Sequence, residues 1–240
     1  MIYFKVFLAL AIVQAFRYLL IPGGAYLAIW KWKRSWAEKN AIQAARFTAA
    51  DVRRELFYSM GTVIIFGAVL ATVFNPEIRP HTSLYENISD RGYAWMVLTV
   101  ALLVAVNDTY FYWMHRVVHH PKLFALIHRV HHLSKNPSPM AAYAFHPIES
   151  FLEIIWIIPV IFLFPMHRSA LIAFSFVSLI YNSIGHLGVE IYPKSWSTNP
   201  VLRWLNTSSH HNRHHREFRG NYGLYFLFWD RLMGTEKVSS

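Results

Sequence analysis

The chain has 240 residues, of which 55% are hydrophobic and only 15% are charged, and its formal net charge is +10. A soluble domain has about 25% charged residues, so the composition argues against a soluble protein and against a basic nucleic-acid-binding domain in particular. The absence of cysteine excludes disulfide bonds, thiolate-ligated haem and cysteine-ligated iron–sulfur clusters.

Three apolar segments in the first half of the chain predict membrane-spanning helices. Residues 2–30 are almost wholly apolar, and we expect a helix there that kinks or ends at Pro22. Residues 57–74 form a second span, and residues 93–113 return through the membrane. The basic linker at residues 31–55 predicts that its side of the membrane is cytoplasmic.

The second half contains one further apolar region, residues 149–187, which is divided by the polar sequence at residues 165–168. Each part is short for a full span, so we expect a tight helical hairpin that enters and leaves on the cytoplasmic side. Counted from the basic linker, an even number of crossings precedes residue 115 and a second even number precedes residue 188, so every histidine cluster lies on the cytoplasmic side.

Nine of the 14 histidines fall into four tight clusters. Within each cluster the spacing is three or four residues, which places the side chains on one face of a helix. Neutral imidazole is the commonest metal ligand in proteins. The clusters are His115-x-x-x-His119, His128-x-x-His131-His132, Asn182-x-x-x-His186 and His211-x-x-His214-His215. A closed structural zinc site needs only four ligands, so this number predicts two metal ions, each with four or five nitrogen ligands.

Ligand count leaves iron and zinc as the main alternatives. Iron would activate O₂, whereas zinc would hydrolyse a substrate through a bound water, and the H-E-x-x-H arrangement of zinc proteases is missing. A metal transporter or scaffold would place ionisable residues throughout the spans, where Arg17 and Asp108 are almost the only ones. The predicted fold class is therefore all-α. We expect one membrane-embedded domain over residues 1–240: a bundle of about four membrane helices, or two helical hairpins, with a cytoplasmic His-rich helical cap that holds a dimetal site.

Several stretches of the sequence resemble the fatty acid hydroxylase / sterol desaturase superfamily. The resemblance covers residues 105–236, which we expect to form the catalytic region, and it looks most like the sterol C5-desaturases. The stretches are Asp108 to His120 with its Phe-Tyr-Trp-x-His-Arg-x-x-His-His pattern, His128-x-x-His131-His132, Ala144-Phe145-His146-Pro147, His211-x-x-His214-His215, and the tail from Gly220-Asn221-Tyr222-Gly223 through Trp229-Asp230-Arg231 to Gly234-Thr235.

Members of that superfamily are integral membrane, non-haem di-iron enzymes that use O₂ and external electrons to hydroxylate or desaturate lipids. The resemblance therefore implies two iron ions as cofactors, O₂ as co-substrate and an O₂-dependent lipid hydroxylase or desaturase activity. It also implies that nine histidines are the metal ligands. They are His115, His119, His128, His131, His132, His186, His211, His214 and His215.

Carboxylates are expected to support these ligands, because a metal-bound imidazole usually donates its other ring nitrogen to an acceptor. Asp108 lies two helical turns before His115 and on the same face, so we expect it to fill this role. The alternative for Asp108 is a charge at the helix end that faces the membrane interface. Glu149 and Asp230 are weaker candidates for the same role.

Three more residues have roles implied by the resemblance. Asn182 stands where related enzymes carry a further histidine, so we expect a weak or water-mediated metal contact. His146 is expected to line the substrate entry or to support a ligand. His120 is the alternative to His119 as the second ligand of the first cluster.

A sterol-like lipid is the favoured substrate. Fatty acyl, ether and carotenoid lipids are alternatives, because alkylglycerol monooxygenases and carotenoid hydroxylases share the same histidine pattern. No cytochrome b5 or ferredoxin domain is recognisable here, so we expect electrons from an external donor such as cytochrome b5 or ferredoxin with its reductase. We expect the endoplasmic reticulum or a bacterial inner membrane as the location, with the histidines on the cytoplasmic side.

Overall fold

The computed structural model describes residues 1–237, which are mostly helical, so the predicted all-α class is confirmed. The only strands among these residues are two residues long, β1 (Leu84–Tyr85) and β2 (Met166–His167), and they pair in parallel. Short 3₁₀ turns, such as Pro139–Tyr143, connect several elements. The helices are α1 (Ile2–Trp32), α2 (Arg34–Lys39), α3 (Ala49–Val73), α4 (Gly92–Val118), α5 (Pro121–Ile127), α6 (Arg129–His132), α7 (Pro147–Ile155), α8 (Ile157–Leu163), α9 (Arg168–Gly185), α10 (Ser208–Glu217) and α11 (Phe228–Leu232).

Four helices of the described chain, α1, α3, α4 and α9, are long and apolar enough to cross a membrane, as predicted. The helix α3 begins earlier than the apolar run, because Thr48 and Asp51 form a capping box at its first turn. The helix α4 continues five residues beyond the predicted span, to Val118, and its last turns therefore carry His115. The first half of the predicted hairpin is broken into α7 and α8, which meet at Trp156.

The first helix does not end at Pro22, so that part of the prediction is wrong. The chain stays helical to Trp32 and passes through two π-helical segments, Leu19–Gly23 and Leu27–Trp32. Proline lacks the backbone N–H that an α-helix needs and clashes with the preceding turn. A π-helical turn shifts the hydrogen-bond pattern locally, and it therefore accommodates Pro22 within a continuous helix.

Close packing of α1 against α3 forms one side of the bundle. A Cβ atom added at Gly67 would lie 3.0 Å from the Cβ atom of Ala11, so the two backbones meet without room for a side chain. Membrane helices commonly pack through such small residues, because van der Waals contact drives their association. The hydroxyl groups of Tyr18 and Ser59 both donate to the carbonyl oxygen of Met140, which ties the two helices to the 3₁₀ turn.

The buried carboxyl of Glu55 fixes the segment between the second and third histidine clusters. It accepts a hydrogen bond from the hydroxyl of Ser134 at 2.7 Å and another from the hydroxyl of Ser138. Both serines and Glu55 are buried. This network joins the start of α3 to the chain that follows α6, and so holds the histidines of α6 in place.

Candidate metal centre

The structure brings all nine predicted histidines together in two groups. Within each group, one ring nitrogen from every histidine lies within 4.8 Å of the others. The five-histidine group contains His115, His119, His128, His132 and His214, and the four-histidine group contains His131, His186, His211 and His215. Eight of these rings are buried, and His119 is partly buried.

Helix geometry explains why two of the sequence clusters are divided between the groups. His128 and His132 are four residues apart and share one face, whereas His131 precedes His132 by one residue and points about 100° away. The same argument separates His214 from His211 and His215. Each H-x-x-H-H sequence therefore contributes to both groups and holds them side by side.

The converging atoms in the five-histidine group are Nε2 atoms. His115 and His128 face each other at 3.1 Å, and His132 lies 3.1 Å from both His119 and His214. The four-histidine group is equally tight. In it, His186 lies 3.1 Å from both His211 and His215, and 3.3 Å from His131.

The second ring nitrogens determine which tautomer these histidines adopt. In His115 the Nδ1 atom donates to the carbonyl oxygen of Tyr222 at 2.9 Å, and in His214 it donates to that of Gly220 at 2.7 Å. In His186 it donates to the carbonyl oxygen of Asn182 at 2.7 Å. The proton on Nδ1 leaves Nε2 with a bare lone pair that points into the group.

This donor set fits two metal cations. Several lone pairs that converge within a buried space repel one another, unless a cation lies between them. Burial also lowers the pKa of the rings, to about 4 for both His186 and His214, and it lowers the pKa of His131 and His132 well below the usual range. The rings are therefore neutral at pH 7, which is the form that binds a metal.

Glu149 is the carboxylate that contacts one of these histidines. Its Oε1 atom accepts from Nδ1 of His128 at 2.5 Å, and both side chains are buried. The sequence ranked Glu149 below Asp108 for this role. Its position on the first turn of α7, directly after the Ala-Phe-His-Pro stretch, was the available signal.

The prediction that Asp108 supports a histidine directly is wrong. Its carboxylate accepts from the backbone N–H groups of Tyr225 and Phe226, at 2.8 and 3.2 Å. Seven residues place Asp108 on the same face as His115 but about 10 Å away along the helix axis, which is too far for a shared contact. Asp108 instead anchors the tail, whose carbonyl oxygens at Gly220 and Tyr222 orient two histidines.

Asp230 has a similar anchoring role. It accepts from the backbone N–H groups of Tyr222 and Gly223, at 2.9 and 2.8 Å, and from the hydroxyl of Thr235 at 2.6 Å. These bonds fold the tail back on itself beside the histidines. Sequence reasoning named Asp230 as a weaker carboxylate candidate, but it missed the carbonyl oxygens that the tail supplies.

Three other predicted residues lie outside both groups. The side-chain amide of Asn182 donates to the carbonyl oxygen of Ala142 at 2.7 Å, and the backbone carbonyl oxygen of Asn182 accepts from His186. Asn182 therefore supports a histidine through its backbone and does not take the expected metal contact. His146 is the N-cap of α7, where its Nδ1 accepts from the N–H of Ile148 at 3.4 Å. His120 is exposed and caps α5 in the same way, so His119 is the member of the group.

A large cavity opens between the membrane helices. It has a volume of about 640 Å³ and is lined mainly by apolar side chains, among them Phe66, Trp156 and Phe174. Phe145 also lines it, and its ring packs on that of His131 with 5.0 Å between centroids. Asn182, one turn before His186, lines it as well. The cavity thus ends beside the four-histidine group.

The fold and the site define a helical membrane protein with two adjacent histidine groups that could hold metal ions. The profile of the fatty acid hydroxylase family matches residues 100–235, which is more than half of the chain. The chain belongs to the fatty acid hydroxylase family, as its motifs predicted.

Curated relatives match most of the chain. A Delta(7)-sterol 5(6)-desaturase of Gibberella zeae is 32% identical over 80% of this chain and 58% of its own length. The lathosterol oxidase of Rattus norvegicus is 30% identical over 85% of this chain and 67% of its own length, and that of Homo sapiens is 30% identical over 81% and 64%. The matched part therefore spans about three fifths to two thirds of these relatives. No solved structure matches the chain.

Proposed function

We propose that the protein is a membrane oxidoreductase that uses two iron ions, O₂ and external electrons to hydroxylate or desaturate a lipid, with a sterol as the favoured substrate. The observation that carries this proposal is a pair of adjacent buried histidine groups, of which the four-histidine group lies at the end of a large apolar cavity. The named activities of the relatives, sterol desaturase and lathosterol oxidase, support a sterol and favour desaturation.

The nine histidines would hold one iron ion in each group. Bound iron would supply the activation of O₂, which imidazole side chains cannot provide. The chain's contribution is to present neutral rings in a fixed tautomer. Tyr222, Gly220 and Glu149 do this for the five-histidine group by accepting hydrogen bonds from Nδ1.

The cavity would bind the lipid and exclude water. Its volume of about 640 Å³ lies within the range of about 300–1,000 Å³ that is typical of small-molecule sites. Its apolar lining suits a sterol ring system, which gains free energy by leaving water. Phe145 and Asn182 would position the reacting carbon beside the four-histidine group.

The electron donor would be a separate protein, such as cytochrome b5 or ferredoxin with its reductase. The exposed Lys122 lies between His119 and His128 in the sequence, and the exposed Arg129 directly follows His128. Both positive charges would attract an acidic electron donor. The basic linker at residues 31–55 supports a cytoplasmic position for the histidines, in the endoplasmic reticulum or a bacterial inner membrane.

The test is turnover by the purified protein, reconstituted in lipid vesicles with iron, a reductase system and a mixture of sterols. We expect an O₂-dependent product that has lost two hydrogen atoms or gained one oxygen atom, detected by mass spectrometry. The matched control is His131→Ala, which should give no product. A protein that carries iron at both sites and changes no lipid would contradict the proposal. Conversion of a lipid by the zinc-loaded protein without O₂ would indicate a hydrolase instead.

A further inference from the structure

Two charged side chains in the apolar cavity have no part in the metal centre. Arg17 of α1 and Glu153 of α7 both line it. A third charged residue in the lining, Arg168, has a side chain that is 62% exposed and forms an ion pair with Glu86. Glu86 therefore balances the charge of Arg168. Charged groups within membrane-embedded protein are costly and usually functional.

Arg17 is almost fully buried, with 4% of its surface exposed. Its guanidinium donates to the side chain of Gln14 and to the carbonyl oxygen of Ser175, and it interacts with the hydroxyl of Tyr143. Its Nε atom has no hydrogen-bond partner. The guanidinium also lies over the ring of Phe176, 4.9 Å from its centroid. Among residues 1–237, no carboxylate lies within ion-pair distance of Arg17, so its charge is balanced only by neutral groups and its Nε donor stays unpaired.

Glu153 is the complementary group. It makes no hydrogen bond or ion pair with another residue of the described chain, although it lies in an apolar wall, where an unpaired carboxyl is costly. Arg17, Tyr143 and Glu153 all line the same cavity, and no ion pair joins Arg17 to Glu153 among the described residues.

We propose that Arg17 and Glu153 bind the hydroxyl group of a lipid alcohol, such as a sterol, and so select alcohols over lipids whose polar end cannot donate a hydrogen bond. This inference rests on the proposed function, because it assigns the polar end of that substrate. A hydroxyl group is neutral, accepts from the guanidinium and donates to the carboxyl. A hydrocarbon would leave both groups unpaired.

The position of this polar pair would also orient the substrate. Glu153 is one helical turn after Glu149, which contacts His128, so it lies about 6 Å further along α7. A hydroxyl anchored there fixes which carbon atoms reach the histidine groups. The pair therefore sets the site of reaction as well as the substrate class.

The test is equilibrium binding of a fluorescent sterol and of its 3-O-methyl ether to the iron-loaded protein under anaerobic conditions. Energy transfer from tryptophan reports the binding, because Trp156 lines the cavity. We expect the free alcohol to bind about tenfold more tightly than the ether, which cannot donate to Glu153. Glu153→Leu should abolish this preference, and Glu153→Gln, which keeps an acceptor, should retain most of it.

Two further variants separate the contributions. Arg17→Gln should weaken the binding of alcohol and ether alike, because the ether oxygen still accepts from Arg17. Glu77→Gln, at an exposed glutamate away from the cavity lining, should change neither. Thermal unfolding of each variant checks that it is folded.

Equal binding of alcohol and ether by the parent protein, or the same preference in Glu153→Leu, would overturn the inference. Tighter binding of oleate than of the sterol would also overturn it and would indicate a carboxylate site. The two proposals can fail independently. If the protein prefers the alcohol to the ether but forms no O₂-dependent product, the proposed function is contradicted and the hydroxyl-binding site is not. If it forms the product but binds alcohol and ether equally, only the hydroxyl-binding site is contradicted.

Discussion

The two histidine groups differ in what holds their rings. In the five-histidine group, His115, His128 and His214 each donate from Nδ1 to a protein acceptor. In the four-histidine group, His186 donates from Nδ1 to the carbonyl oxygen of Asn182. Nδ1 has no hydrogen-bond partner among the described residues in His131 and His215 of that group and in His132 of the five-histidine group. The first group is thus supported by the tail and by Glu149, and the second depends more on packing.

This difference suggests a division of labour within one centre. A metal with more ligands, oriented by outer acceptors, is held firmly, and a carboxylate acceptor raises the basicity of its ligand. A metal with fewer ligands keeps a position for substrate chemistry, as open catalytic sites do. The cavity ends beside the four-histidine group, which agrees with that division.

Removal of one histidine from each group should give the largest effects. His131→Ala leaves three histidines in its group, whereas His119→Ala leaves four. We expect His131→Ala to lose iron and to lower turnover by more than the roughly 10–100-fold that outer-shell changes cause, and His119→Ala to retain more iron. Elemental analysis and turnover measure both, with the exposed His120→Ala as the control. Equal iron loss in the two variants would contradict the proposed difference between the two histidine groups.

Substitution of Glu149 should weaken only the five-histidine site. Glu149→Gln keeps an acceptor for His128 but loses the negative charge, and Glu149→Leu loses both. We expect iron affinity at that site to fall about tenfold and about 100-fold, respectively, as measured by competition with a chelator. The control is the exposed Glu77→Gln. An equal loss of iron from both groups would show that Glu149 acts on the fold as a whole.

Asp230→Asn should have a smaller effect on the same group. Asp230 accepts three hydrogen bonds in the tail, and an amide oxygen can replace only part of them. We expect a loss of unfolding free energy on the order of 1–3 kcal/mol and weaker iron binding in the five-histidine group. A thermal melt in detergent and the iron content measure these changes. Selective loss from the four-histidine group would contradict the assigned role of the tail.

Gly185→Ala should produce the smallest change, and only in the four-histidine group. The added Cβ would lie 3.1 Å from Cδ2 of His211, so that ring must shift by a few tenths of an ångström. Because overpacking costs about 1–3 kcal/mol before relaxation, we expect turnover to fall about tenfold or less with both irons retained. Gly61→Ala, where a Cβ meets open space, is the matched control. A change in the five-histidine spectrum would contradict the expectation.

Hydropathy and periodicity were sufficient to predict the all-α membrane fold, and the resemblance of several sequence motifs to a known superfamily was sufficient to predict the family. The same spacing implies that His131 and His132 face different directions, although only the structure shows which ring joins which group. Periodicity gives the face of a helix but not the contacts along it, which is why Asp108 was assigned to a histidine it does not reach. Backbone acceptors such as the carbonyl of Tyr222 leave no trace in side-chain identity.

Membrane spans raised a different problem. Proline predicted that the first helix kinks or ends at Pro22, and the helix instead continues through a π-helical turn. Arg17 stood out in the sequence as a charge within an apolar span, but nothing in the sequence connected it with Glu153. Only the packing of α1 and α7 around one cavity brings the two residues together.

Mössbauer spectroscopy of the purified, iron-57-enriched protein, together with its iron content, tests the asymmetric two-metal centre most directly. The account predicts about two irons per chain and two distinct signals of equal area, one of which changes in Glu149→Leu while the other stays the same. One iron per chain, two equivalent signals, or two zinc ions after growth in iron-replete medium would contradict it.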